Sequence, residues 1–217
     1  MKYYLADYDK DIKPLSKAKK KPKMKGKKFA LNRAKAPQKT IINNILARHG
    51  RRDKLAIVLD GENAHTTKAL IKSGWKKNNI FIPNFSEDYK KILRKGYQAT
   101  NVSLGDYLYK TRQDSIGLLY ADYMCSLEGN ANCKPLEDIE YLFDGHLLAD
   151  GACLGITITL RSKTCDKNFV NNAVQKLISE INTLGFENDY VTTLLPVGGV
   201  YKNGGPMWTG IFQVFKI

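Results

Sequence analysis

Four short stretches carry the side chains of chemical interest, and each follows an apolar run that reads as a strand. Leu55-Ala-Ile-Val-Leu59 ends in the turn Asp60-Gly61-Glu62-Asn63, and Ile80-Phe-Ile-Pro ends in Asn84. Ser103-Leu104-Gly105-Asp106 and Ala121-Asp122-Tyr123-Met124 follow two more such runs. An apolar run, a turn, a helix-period segment and a second apolar run form the pattern of a β-α-β unit in a parallel sheet. Open α/β sheets bind ligands at the carboxyl ends of their strands. Carboxylates placed there can complement a cation, and carboxylate or amide oxygens can accept from hydroxyls and amines.

Other chemistries find little support. Three scattered histidines make no Ser-His-Asp arrangement: His65 and His146 fall in predicted helices and His49 at a helix end. No Walker loop is present, and Gly198-Gly199 with Gly204-Gly205 reads as a hairpin turn because no strand-to-helix context surrounds it. Cys125, Cys133, Cys153 and Cys165 form no C-x-x-C pair, which favours reduced core or loop thiols over zinc or disulfides.

The elements that must position these residues alternate. Pro37 can open a helix through His49, with Ile41, Ile42, Ile45 and Leu46 expected on one face. Strand Leu55–Leu59 precedes a helix from about Glu62 to Ser73, and strand Ile80–Ile82 precedes a helix Glu87–Arg94. A strand near Thr100–Val102, a short helix Tyr107–Lys110 and a central strand Ser115–Tyr120 follow. Pro135 suits a helix start, with Leu136, Ile139, Leu142, Phe143 and Leu147 at helical spacing. Strand Cys153–Leu160, a helix from about Asn168 to Leu184, and β-rich runs at Tyr190–Val197 and Met207–Lys216 complete the chain. The fold class expected is α/β: a doubly wound, mostly parallel sheet of about seven strands with a terminal antiparallel hairpin.

The chain of 217 residues, 43% apolar, can bury one core of this size. Its net charge of +14 is unevenly placed: residues 1–54 hold 18 Lys and Arg against 4 Asp and Glu, while residues 55–217 hold 17 of each. Residues 1–36 are expected to be a basic, flexible arm, with the run Lys17–Lys28 unable to bury apolar surface, and residues 37–217 the folded domain. Such a split points to a polyanionic partner, nucleic acid (RNA or DNA) held through residues 1–54, with Arg48, Arg51 and Arg52 extending the basic surface. Plain solubility or an acidic protein partner are the competing readings of the tail. With neither a signal-peptide pattern nor an 18-residue apolar span, the expectation is an intracellular protein, cytoplasmic or nuclear, with no membrane contact.

In element order and motif position, residues 40–217 resemble the class I AdoMet-dependent methyltransferases. The resemblance implies S-adenosyl-L-methionine as cofactor. Asp60, Gly61, Glu62 and Asn63 then match the first-strand turn that approaches its methionine part, although the second and third glycines of that motif are missing. Asn84 stands where the family has an acidic residue for the ribose hydroxyls. Leu104, Gly105 and Asp106 match the adenine site. Asp122 and Tyr123 match the catalytic position of amino-methyltransferases, one holding the exocyclic amine and one stacking on the base, without the prolines of that motif. A lysine, aspartate and glutamate tetrad of the ribose methyltransferase type is not recognisable. The residues themselves also allow plainer roles: Asp60 and Asp106 as helix caps, Asp122 as a loop anchor and Tyr123 as a core side chain. Two functions follow: a methyltransferase acting on nucleic acid, or a catalytically inactive relative that serves as a nucleic-acid-binding or assembly protein.

Overall fold

The computed structural model describes residues 37–130, 133–160, 167–202 and 205–217. The basic arm expected over residues 1–36, and Cys165, lie outside them. Helix α1 spans Pro37–His49, β1 Leu55–Val58, α2 His65–Lys72, β2 Ile80–Pro83, α3 Asp88–Arg94, β3 Gln98–Thr100 and α4 Leu104–Leu108. The second half holds β4 Ile116–Asp122, α5 Pro135–Asp144, β5 Leu148–Thr159, α6 Lys167–Glu187, β6 Tyr190–Leu194, β7 Gly199–Lys202 and β8 Pro206–Lys216.

One sheet runs through the molecule in the order β3-β2-β1-β4-β5-β8-β6, with β7 paired beside β8. β1 to β5 are mutually parallel. β8 is antiparallel to β5 over Met207–Val214 and carries β6 on the outer edge of one half and β7 on the other. The expected mixed sheet is present, with one strand more than the expected seven, because the glycine-rich stretch at 199–202 pairs with β8.

Strand alternation sends side chains to two cores, one on each face. On one face α1, α2 and α3 contribute Ile42, Leu46, Leu70 and Ile92 against Val58, Leu118 and Tyr120 of the sheet. On the other, α4, α5 and α6 contribute Leu108, Leu142, Phe143, Leu177 and Ile181 against Leu119, Leu154, Ile156 and Phe212. Helix α1 approaches the sheet closely because β5 has Gly155 there. A Cβ at that position would meet the Leu46 side chain at 2.6 Å and the Tyr120 ring at 2.8 Å.

Two expectations are corrected. Ile41 is 55% exposed, and the inward face of α1 is instead Lys39, Ile42, Asn43, Leu46 and Ala47. Helix α5 stops at Asp144 and not at Leu147, because His146 takes φ +49° and Leu147 enters β5 pairing through Ser115 and Ile116.

Candidate functional site

Asp60 stands two residues past the end of β1 and is buried. One carboxylate oxygen accepts from the Thr67 backbone N–H at 2.8 Å and its hydroxyl at 2.9 Å, and the other accepts from the Thr66 N–H at 3.4 Å. Asp60 therefore caps α2, the plainer of its two expected roles. Burial raises its pKa above the ordinary carboxylate value, against the opposing pull of the Thr67 and Thr66 bonds and of the nearby Lys39 charge.

The Gly61–Ala64 turn closes with the Ala64 N–H donating to the Gly61 carbonyl at 2.9 Å. Ala64 adopts φ 49°, ψ 48°, the left-handed conformation that favours glycine. The backbone thus keeps a glycine-like bend where the sequence lacks the glycine. A Cβ at Gly61 would meet nothing within 4 Å, so the turn presents open backbone. Glu62 pairs with Lys91 of α3 at 2.5 Å, and its carbonyl accepts from Lys95. Asn63 lies in the same turn, partly exposed. Asn84 donates its amide to the Asp60 carbonyl at 2.9 Å, while its side-chain oxygen accepts from the Ser86 N–H at 2.9 Å and hydroxyl at 2.5 Å. That oxygen, expected to face a ribose, is directed to its own chain.

The residue that sequence reasoning missed is Lys39. From the first turn of α1 its ammonium pairs with the Asp122 carboxylate at the end of β4, and both side chains are only 11% exposed. It also lies over the Tyr120 ring, 5.3 Å from the centroid. Beneath it the Tyr120, Thr157 and Thr209 hydroxyls form a buried chain with spacings of 3.0 and 2.7 Å. One turn along α1, Asn43 accepts from the Thr66 hydroxyl at 3.1 Å. Lys39 and Asn43 thereby join α1 to the carboxyl end of β4 and to the first turn of α2. The only sequence signal was their helical register with Ile42 and Leu46.

Asp122 and Tyr123 do not converge. Asp122 shares the α1 face with Tyr120, whereas Tyr123 enters the opposite core, 4% exposed. Its hydroxyl donates to Asp138 of α5 at 2.6 Å, which leaves no ring face for a base. Burial pushes Asp138 up to about 6, partly opposed by that hydrogen bond. The following loop is closed by a disulfide between Cys125 and Cys133, contrary to the expected thiols. The loop doubles back through paired backbone bonds between Asn130 and Cys133, which brings the two cysteines together. Cys153 is a free, buried thiol as expected, and among the described residues no cluster of metal-ligating side chains occurs.

After β3, the Ser103 hydroxyl caps α4 by accepting from the Asp106 N–H at 3.1 Å and donates to the Asp106 carboxylate at 2.6 Å. Leu104 is buried, and a Cβ on Gly105 would meet Asp138 at 2.7 Å, so this turn is wedged against α5. Asp106 is exposed and lines a cleft of about 440 Å³ with Thr100, Val102, Tyr107, Lys110 and Arg112. The structure therefore gathers Asp60, the Gly61–Ala64 turn, Asn84 and Asp122 around the carboxyl ends of adjacent strands. Asp106 stands apart from them, in the α4 cleft whose lining also includes Leu55 and Ser115 at the amino starts of β1 and β4, and Tyr123 is withdrawn into the core.

No family model and no curated protein sequence matches the chain. Solved structures do. A candidate rRNA methylase from Clostridium thermocellum superposes with a TM-score of 0.56 at 8% identity over 83% of this chain and 99% of its own. The chain has the class I methyltransferase fold. TYW2 of M. jannaschii, solved with AdoMet, gives 0.51 at 10% identity over 84% of this chain and 77% of its own. TYW2 of P. horikoshii, solved with MeSAdo, gives 0.53 at 14% identity over 84% of this chain, which spans only 65% of that protein's length. At these identities the likeness of this methyltransferase-type domain is one of fold. None of its helices among the described residues is long and apolar enough to cross a membrane.

Proposed function

We propose that the protein is an AdoMet-dependent methyltransferase acting on nucleic acid, with Asp60 to Asn63, Asn84 and Leu104 to Asp106 lining the cofactor site and Asp122 at the acceptor. The observation that carries this reading is the pair of carboxylates at the carboxyl ends of neighbouring strands, Asp60, which is buried, and Asp122, whose side chain is 11% exposed and paired with the Lys39 ammonium of α1. The carboxylates give this edge a negative lining that complements a sulfonium or ammonium, with Lys39 already offsetting the charge of Asp122. The open backbone at Gly61 and the left-handed bend at Ala64 leave room for close approach beside it.

Bound AdoMet would supply an electrophilic methyl group on a sulfonium. The chain's own contribution is orientation, which is what an in-line displacement needs. Asp122 would hold a donor of the acceptor nucleotide, Asp106 an amine of the cofactor's base, and the Asp60 carboxylate would fix the turn by capping α2. With Tyr123 turned into the core, stacking on a flipped base would fall to another group, and Met124, 53% exposed beside it, is the available apolar side chain. Nucleic acid is favoured as substrate by the basic first quarter of the chain and by a candidate rRNA methylase among the structures of the same fold.

A second reading, a binding or assembly protein without catalysis, is favoured by how fully the site's polar groups are engaged within the chain, Asp122 with Lys39 and Asn84 with Ser86. Methyl transfer from labelled AdoMet to total RNA or DNA separates the two: incorporation above a boiled control supports the enzyme, and binding of AdoMet without incorporation supports the second reading.

A further inference from the structure

Helices α1 and α2 run side by side in the same direction on one face of the sheet. Asn43 meets Thr66 at one end, and at the other the Trp75 indole donates to the Ala47 carbonyl at 3.4 Å while the Arg52 guanidinium lies 3.3 Å from where a Gly74 Cβ would be. Neither helix contains an acidic residue. Their outer surfaces carry Arg48, Lys68 and Lys72, and Lys76 follows in the next loop, all exposed. Among the described residues none of these four has an acidic partner, whereas Arg51, Lys90, Lys91 and Lys134 each do. Lys68 and Lys72 are a like-charge pair one turn apart, which weakens a helix unless an anion answers it. The opposite face differs: α5 has Glu137, Asp138, Glu140 and Asp144 with no Lys or Arg.

We infer that the α1–α2 face is a second nucleic-acid contact, built into the folded domain and separate from the basic arm. This rests on the nucleic-acid reading above and adds where the phosphates lie. The 13 residues of α1 extend about 20 Å, the reach of several successive phosphates. Beside the cations the face exposes Thr40 and Asn44, which suit phosphate and sugar oxygens, and its one large apolar side chain is Ile41. An acidic protein partner would want an apolar centre that this face does not offer. Because α1 begins at Pro37, two residues before Lys39, a strand lying along the face leads toward the Asp122 edge and away from acidic α5.

The test uses the full chain. Binding of a fluorescein-labelled 24-nucleotide RNA hairpin is followed by anisotropy from 50 to 300 mM salt for wild type, for the quadruple variant Arg48→Gln, Lys68→Gln, Lys72→Gln, Lys76→Gln, and for the control Lys134→Gln, Lys176→Gln, two exposed cations outside this face and outside the candidate site. Circular dichroism checks that each is folded, and the double variant Lys68→Gln, Lys72→Gln serves if the quadruple is not. Four lost phosphate contacts reduce the slope of log K against log salt by about 3 to 4, and affinity at low salt falls by at least ~10-fold, with the control unchanged. The double variant is expected to lose about half of that slope. A slope and affinity equal to wild type in the folded variant overturns the inference and leaves the arm as the binding element. Competition by polyglutamate, charge for charge as strong as by RNA, overturns it in favour of an acidic protein. No RNA binding by wild type removes both this inference and the nucleic-acid substrate, without touching the cofactor reading.

Discussion

Replacing Lys39 with methionine isolates the contact that organises the site. The ion pair with Asp122 is largely withdrawn from water, each side chain being 11% exposed, so screening discounts it little. Removing the ammonium leaves the Asp122 carboxylate without its cation at the same sheet edge as the buried Asp60, and a broken buried pair costs about 3–5 kcal/mol. Against a domain stability on the order of 5–15 kcal/mol this is a large loss, about 6–20 °C in Tm for a chain of this size. Exchanging both partners, Lys39→Met with Asp122→Leu, removes the uncompensated charge and should return stability to within about 1–2 kcal/mol of wild type. Urea unfolding monitored by tryptophan fluorescence is suited to this, since Trp75 and Trp208 are both buried, at 2% and 6% exposure. A Lys39→Met variant within about 0.5 kcal/mol of wild type, or a double variant whose losses simply add, would falsify the claim that Lys39 and Asp122 act as a buried pair.

Four further outcomes are expected. Asp138 has a native pKa raised to about 6, so the native state binds more protons than the unfolded chain between that value and the ordinary carboxylate range. Stability should therefore fall as pH rises from about 4 to 6, by at most on the order of 3 kcal/mol, and Asp138→Asn should flatten that part of a pH-dependent melting curve. Ala64→Gly should stabilise by up to about 1 kcal/mol in chemical unfolding, because the left-handed bend strains alanine more than glycine, and a loss there would contradict the strain. Asp60→Ala removes the acceptor for three donors of α2 and should cost about 2–3 kcal/mol, while Asp60→Asn should retain part of the cap. Reducing the Cys125–Cys133 link should lower the melting temperature by an amount equivalent to about 2 kcal/mol, and a Cys133→Ser variant should be insensitive to reductant.

The fold was legible because its signals are local and repeated. The apolar run Leu55–Leu59, the stop at Gly74 and the buried run leading to Tyr120 each read directly as strand or helix punctuation, and their alternation leaves few topologies. The site was legible in position more than in role. The strand-end residues Asp60, Asn84 and Asp122 all stand at the carboxyl edge of the sheet, but which neighbour each side chain faces depends on contacts across 7, 2 and 83 positions of sequence. Lys39 was hidden because a helix is read by its apolar residues, and Ile41 and Ile42 point to opposite choices of inward face. The separation of Tyr123 from Asp122 had a signal: successive residues of extended chain face opposite ways, and although β4 is bounded at Asp122 the Tyr123 N–H still donates to the Thr157 carbonyl, which keeps the alternation going. The disulfide had none, since the return of the 125–133 loop depends on backbone pairing that composition does not encode.

Central to the proposal is AdoMet binding at the carboxyl ends of β1, β2 and β3. Isothermal titration calorimetry of the full chain with AdoMet and with its demethylated product tests it most directly. Saturable one-to-one binding with Kd below about 500 µM is expected, weakened at least ~10-fold by Asp106→Ala and by a bulky Gly61→Val in the open turn, in variants that remain folded. Absence of binding to wild type at that concentration, or equal affinity in both folded variants, would contradict it.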